Sequence, residues 1–447
     1  HLMLRPGDDS LKLNMRKLPA VVAAFFVAYL STGITWHRCA RLPLERLSDF
    51  SKRTDSFAQR DDADPLSIVS GLFLQRNPLA PMSQLAFQVN ISAGRYFLLI
   101  EMLRSLLDRW APEFDQRTHL ALLTSGGAEM ISQQMVEGIR TLAQLAQADP
   151  QSRNLLLAPA PDARAILSSL GAEHEFVLAF SAFLDRFGHR AIGEVELMKP
   201  RWREDASAVL QMVRNFLRQP EQTGPDAHGL RLAARDALHQ SLPKRWQRRV
   251  IDWLLGRIRY YVTARENTRY YHTMVFAAVR AKIKEWELAL LEDERLHCVD
   301  DVFFLEWPEL AALEAGALDW SDVETTILER RRLYRRLCDT PPAETFNFAI
   351  TTELVTGEKL LQGDCASPGV AEGKARVILD PGMSVEIEPG EILVAPYTDP
   401  AWTPLFPAAA AVVVEVGSFL SHAGTVAREY QIPCLVDVAN CTTALQN

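Results

Sequence analysis

Cysteine is sparse and scattered. The chain has six among 447 residues (Cys39, Cys298, Cys338, Cys365, Cys434 and Cys441), none in a CxxC pair. This spacing excludes the common zinc knuckles and argues against a disulfide framework. Reduced thiols in a cytoplasmic protein are the expectation, with no metal site. Positive charge is also in short supply: 48 Lys and Arg stand against 56 Asp and Glu, a net charge of −8. Such a chain has no excess of cations to displace the counterions of a nucleic acid, so no nucleic-acid partner is expected. There is no glycine-rich phosphate loop of the GxGxxG or GxxxxGK[ST] kind, no βα repetition of barrel length and no internal repeat. Long hydrophobic runs are nearly absent too. Leu18–Trp36 carries no charge and follows Arg16-Lys17, but Pro19, Ser31, Thr32 and Gly33 interrupt it. Its length and breaks favour a buried helix over a membrane span, so no membrane association is expected. The opening His1-Leu2-Met3 is not a natural start, and a beginning further upstream is expected.

What is present is an ordinary globular composition, 48% hydrophobic and 23% charged. The length suits roughly two to four domains. Residues 1–340 are predicted to be a large, mainly α-helical domain. Glu175–Phe187 places Phe176, Phe180, Phe183, Leu184 and Phe187 on one face, and Gly188 stands where a helix stops. Asp205 is a good cap for the next helix, with Val209, Leu210, Met212, Val213, Phe216 and Leu217 as its apolar stripe. A third helix is predicted from Arg269 to about Leu291, with Val275, Val279, Ile283, Trp286 and Leu290 inward. Pro341-Pro342 cannot continue a helix, and residues 341–354 are assigned as a hinge linker. Beyond it, residues 355–447 hold short β-rich runs at Ala375–Leu379, Ile392–Val394, Ala411–Val414 and Cys434–Val436. The turns Pro368-Gly369, Pro381-Gly382 and Pro389-Gly390 separate them. They predict a small α/β domain.

The chemistry concentrates in Glu415–Val438. A β-run ends in a glycine-containing loop, and Ser421 is placed to cap a helix that starts at His422. Small residues follow. An anion on the imidazole would meet the unpaired N–H groups and the positive end of the helix dipole. With an ordinary pKa of about 6.5, imidazole is a good nucleophile near neutral pH. An exposed His422 at this position suits a transient phosphoimidazole. The plainer alternative is a capping or core histidine.

Five separated blocks decide between these. They are Ser367-Pro368-Gly369 with Ala371 and Gly373-Lys374-Ala375; Ile392-Leu393-Val394-Ala395-Pro396 with Thr398-Asp399-Pro400; Trp402-Thr403-Pro404-Leu405-Phe406; Leu420-Ser421-His422-Ala423 with Val426-Ala427-Arg428-Glu429; and Ile432-Pro433-Cys434. Together they resemble the swivelling phosphohistidine (mobile) domain of phosphoenolpyruvate synthase and pyruvate phosphate dikinase. The resemblance implies that His422 is phosphorylated, and that Ser421, Thr425 and Arg428 steady the phosphoryl group or the helix start. The alternatives are a cap, a first-turn residue and a surface ion. Val416-Gly417-Ser418 departs from the family's double glycine, and related domains continue for another strand or two past the position of Asn447.

In the helical part, Phe183–Arg190 with Gly193-Glu194 and Pro200-Arg201-Trp202, then Arg265-Glu266-Asn267, then Asp300–Leu305 resemble the middle region of rifampin phosphotransferase and its relatives. That implies a helical acceptor-binding domain where phosphoenolpyruvate synthase has a barrel. His189, Arg190 and Glu194 are candidates for acid–base help and phosphate contact, with Arg201, Arg265 and Glu266 beside them. A salt-bridged loop locking two helices is the alternative. The pairs Tyr260-Tyr261 and Tyr270-Tyr271 are expected to pack rather than to bind. By resemblance, ATP and Mg²⁺ would be bound by an ATP-grasp domain or subunit not found in this sequence, and the acceptor would be a small-molecule hydroxyl. The rivals are a phosphohistidine subunit of a split complex, like phosphoenolpyruvate synthase or phenylphosphate synthase, and a non-catalytic binding module.

Overall fold

The structure is a computed structural model, and it describes residues 81–125, 130–158, 163–218, 227–339, 361–379, 387–419 and 421–445. The Leu18–Trp36 run and the 341–354 linker lie outside these residues. The described chain is mainly helical, followed by a small mixed α/β sheet. It divides into two compact units, one holding residues 283–339 and the other residues 81–282 together with 361–445.

In the larger unit the helices are α1 (Pro81–Trp110), α2 (Gln116–Thr124), α3 (Ile131–Ala148), α4 (Pro150–Leu157), α5 (Ala163–Leu170), α6 (Glu175–Phe187), α7 (Ser207–Arg218) and α8 (Ala227–Ser241). The long α9 (Arg245–Glu292) follows. Helix α6 has its predicted bounds, with Phe176, Phe180, Phe183 and Phe187 buried and Gly188 at its end. Asp205 Oδ1 accepts from Ser207 N at 3.0 Å at the start of α7. The helix predicted from Arg269 begins instead at Arg245. No proline interrupts the run, and Gly256, which has open space around it, is tolerated inside the helix.

Two cores result. One joins α3, α4, α5, α6 and α7 through Met135, Val136, Ile139, Phe176, Phe180, Phe183, Val209 and Val213, with Trp202 from the loop after α6. The other joins α1, α2, α8 and α9 through Leu103, Leu107, Leu238, Leu254, Ile258 and neighbours.

The α/β part contains β1 (Asp364–Ser367), β2 (Ala375–Val377), β3 (Ile392–Ala395), β4 (Ala411–Val414), α12 (His422–Tyr430), β5 (Cys434–Val436) and α13 (Cys441–Ala444). The sheet order is β1-β5-β4-β3-β2. All neighbours are parallel except β1 and β5. Parallel strands are covered on both faces, which is why β3 and β4 are continuous apolar runs rather than alternating ones. The strand β1 has no such signature: it reads Asp-Cys-Ala-Ser, carries a register shift between Cys365 and Ser367, and sits at the sheet edge, so periodicity did not predict it.

The smaller unit contains the end of α9, a 3₁₀ turn at Asp301–Phe304, α10 (Trp307–Glu314) and α11 (Trp320–Asp339). Arg330 bonds Glu309 and the Phe304 carbonyl, and Arg331 pairs with buried Asp301. The Asp300–Leu305 block therefore serves here to join helices. Among the described residues, no helix is long and apolar enough to cross a membrane.

Candidate phosphohistidine site

In an open parallel sheet, ligands gather at the carboxyl ends of the strands. The loops leaving β3 and β4 meet at that edge. Ser421 caps α12, its Oγ accepting from Gly424 N at 3.4 Å, and His422 is the first helical residue. The position at a helix start is therefore as the sequence predicts. The expected exposure is not: His422 is only 3% exposed. The ring is enclosed because a hydroxyl sits at each nitrogen. Thr398 Oγ1, from the loop after β3, is 3.1 Å from Nδ1. Thr403 Oγ1, from the 3₁₀ segment Pro400–Ala408, is 3.0 Å from Nε2. Phe406 packs edge-on at 6.0 Å between centroids. Burial, then the charges of Arg269, Arg190 and Arg265, hold the ring well below the ordinary histidine range, so it is neutral at pH 7.

Those three arginines belong to the helical part, on which the α/β part is seated. Asp399 Oδ2 accepts from Gly193 N at 2.9 Å, where Gly193 takes φ +68. Glu429 Oε2 accepts from Gln133 Nε2 at 2.8 Å. Tyr430 and Phe419 pack against the two helical cores.

The loop between α6 and α7 is rigidly built. Arg190 and Glu194 form an ion pair with both partners buried; Arg190 Nε and Nη2 each lie 2.7 Å from Glu194 Oε1. Arg201 donates to the Glu194 and Glu196 carbonyls, and burial lowers its pKa to about 10. Arg280 of α9 clamps Glu204 and the Leu197 and Met198 carbonyls. The salt-bridged alternative thus describes how Arg190, Glu194 and Arg201 are held. His189 stacks edge-on against Tyr270 at 4.6 Å, and its Nε2 finds no hydrogen-bond partner among the described residues. Burial and then Arg190 hold its ring well below the ordinary range. Arg265 pairs with Glu266 at 3.2 Å. Arg269 reaches Glu194 Oε2 at 3.5 Å, which brings the two helical-part motifs together. Tyr270 donates to the Arg186 carbonyl and Tyr261 accepts from Arg95 and Arg257, so both are engaged in packing contacts.

Arg428 is buried rather than a surface ion. Its Nη1 donates to Ala366 O and Phe419 O at 2.9 and 2.7 Å, and the guanidinium lies 4.0 Å from the Phe419 ring centroid. Thr425 is buried, and its Oγ1 accepts from Arg428 Nη2 at 3.4 Å. The glycine two residues after His422 also has a packing cause. A Cβ on Gly424 would stand 2.9 Å from Phe419 O and 3.0 Å from Ala366 Cβ. A Cβ on Gly417, the single glycine of the preceding loop, would meet Ser421 Oγ at 3.1 Å.

The sequence assigned no role to Thr398, Thr403, Asp399, Gln133 or Arg269. Thr398 and Thr403 stood inside recognised blocks, but 24 and 19 residues from His422, with no periodicity to join them to it. Only the parallel pairing of β3 and β4 brings them together.

Residues 88–266 match the family described as rifampicin phosphotransferase fourth domain, and residues 387–447 match the PEP-utilising enzyme, mobile domain. The chain is 31% identical over 292 residues to rifampicin phosphotransferase of Bacillus cereus, covering 60% of this chain and 32% of that protein. It is 32% identical over 282 residues to the prodigiosin synthesizing transferase PigC of Serratia marcescens, covering 60% and 31%. With rifampicin phosphotransferase of Bacillus subtilis the identity is 30% over 286 residues, covering 59% and 32%. The chain thus spans about a third of the length of these curated relatives. Two segments of the chain therefore match, in this order, the rifampicin phosphotransferase fourth domain and the mobile domain of PEP-utilising enzymes.

Proposed function

We propose that this chain is the acceptor-binding and carrier part of an ATP-driven phosphotransferase. His422 accepts a phosphoryl group as a phosphohistidine and delivers it to a hydroxyl of a small molecule held by the helical part. ATP is cleaved to AMP and phosphate on an ATP-grasp domain or subunit outside the described residues. Mg²⁺, which neutralises charge on the nucleotide phosphates, is assigned to that same partner by the family resemblance.

The observation that carries this reading is an imidazole that opens the capped helix α12 with a hydroxyl at each nitrogen, kept neutral by burial and by the charges of Arg269, Arg190 and Arg265 of the helical part. A neutral ring keeps the lone pair that attacks phosphorus. The helix start and the arginines suit the phosphoryl oxygens that arrive with it. Ser421 and Thr425 act at the helix start. His189 is the group available to take the acceptor's proton, while the Arg190–Glu194 pair and Arg201 hold its loop in place and Arg265, beside Glu266, contributes positive charge. A buried His422 cannot reach a distant nucleotide, so the α/β part must leave its seat on Gly193 and Gln133 during the cycle.

The test uses ATP labelled at the β-phosphate together with the nucleotide-handling partner. Acid-labile, base-stable label is expected on the wild-type chain and absent from His422→Ala. Label persisting in the variant would refute the assignment.

A further inference from the structure

Each nitrogen of the His422 ring meets a threonine hydroxyl, Thr398 at Nδ1 and Thr403 at Nε2. A neutral imidazole has one N–H and one lone pair, so one hydroxyl must accept while the other donates. Two arrangements satisfy both contacts, and each is a single tautomer. The two partners are not equally mobile. Thr403 is 1% exposed and lies between buried Trp402 and Phe406, whereas Thr398 is half-buried. Packing therefore fixes the Thr403 oxygen, and only its hydrogen can turn.

The tautomer matters because only the nitrogen with the lone pair can attack. We propose that Thr403, working with Thr398, is a positioning residue that holds His422 in one tautomer, which can change only if both hydroxyl hydrogens turn together, and so limits which ring nitrogen takes the phosphoryl group. This rests on the carrier role given above. In the transfer, the lone-pair nitrogen forms the N–P bond while the bond from phosphorus to the leaving group breaks, the leaving group keeping that electron pair. The hydroxyl that had donated to the lone pair rotates aside with its proton. The other nitrogen keeps its N–H, still donated to the second threonine. The ring therefore needs no outside base for this step.

The test uses the whole chain with ¹⁵N-labelled histidine, and phosphoramidate as the phosphoryl donor, whose P–N bond breaks with loss of ammonia. In the wild type the two His422 nitrogens should resonate far apart, one as N–H and one as lone pair, across neutral pH. Thr403→Val keeps the shape but removes the hydroxyl; the two resonances should converge and labelling should slow roughly tenfold, the loss of one hydrogen bond. Thr403→Ser should restore both. If Thr403→Val does not fold, Thr398→Val makes the same test at Nδ1. An unchanged spectrum in the valine variant, or a serine variant as impaired as the valine one, overturns the clamp while label on wild-type His422 leaves the carrier role standing. A wild-type chain that takes no label, with a spectrum that shifts in Thr403→Val, overturns the carrier role instead.

Discussion

Replacing Glu194 by Gln should be among the most damaging single changes in the helical part. The carboxylate is fully buried and receives Arg190 Nε and Nη2 at 2.7 Å, with Arg190 only 2% exposed. Gln keeps the size and an acceptor oxygen but leaves the guanidinium without a counter-charge in a dry site. Breaking a buried pair from one side costs about 3–5 kcal/mol. The second contact, from Arg269 at 3.5 Å, is partly exposed and adds about 0–1 kcal/mol at most. Removing both charges should behave differently. Arg190→Met with Glu194→Leu fills the same space with apolar atoms, and its cost should fall to within about 1 kcal/mol of wild type. Urea unfolding followed by tryptophan fluorescence reads both, since Trp202 is buried in the same loop and bonded to the Arg190 carbonyl. If Glu194→Gln costs under about 1 kcal/mol, or if the double variant is no better than the single, Arg190 is not held by this pair and the account of the loop fails.

Three further outcomes are expected. Adding a methyl at Gly424 drives it against the Phe419 carbonyl and Ala366, so Gly424→Ala should lose about 1–3 kcal/mol in urea unfolding and reduce labelling of His422; a neutral effect would show that α12 is not pinned there. Arg428→Lys should cost about 2–4 kcal/mol, because an ammonium cannot span the Ala366 and Phe419 carbonyls as the guanidinium does; full stability of the lysine variant would contradict this role. Burial lowers the pKa of His189 below its unfolded value of about 6.5, so the unfolded chain binds the proton more readily. The resulting stability is present above about pH 6.5 and is lost as pH falls through the folded-state pKa, so His189→Gln should flatten the dependence of Tm on pH below 6.5, and equal slopes would count against it.

Much of the architecture was legible because it is local. The phenylalanine spacing of Glu175–Phe187 sets one helix face, and the apolar runs Ile392–Ala395 and Ala411–Val414 can only be strands buried on both sides. Ser421 and His422 could be placed at a helix start because capping depends on neighbours in sequence. The start of α9 was missed for the same reason in reverse: no stop signal precedes Arg269, so local pattern gave no true boundary. The edge strand Asp364–Ser367 has neither period nor apolar run, and only its pairing with β5 makes it a strand.

By itself the sequence determined that a helical region precedes a small α/β domain, and that one histidine opens a capped helix. These follow from interactions within a few residues of chain. Tertiary structure alone decided the surroundings of that histidine. It put Thr398 and Thr403 on its two nitrogens, buried the ring instead of exposing it, and brought the charges of Arg269, Arg190 and Arg265 to bear on it. It also buried Arg428, whose alternative reading was a surface ion, as a pin between two carbonyls. Hydrogen bonding and burial at such positions depend on strand order and on how the α/β part seats on the helices, and neither is written in the spacing of residues along the chain.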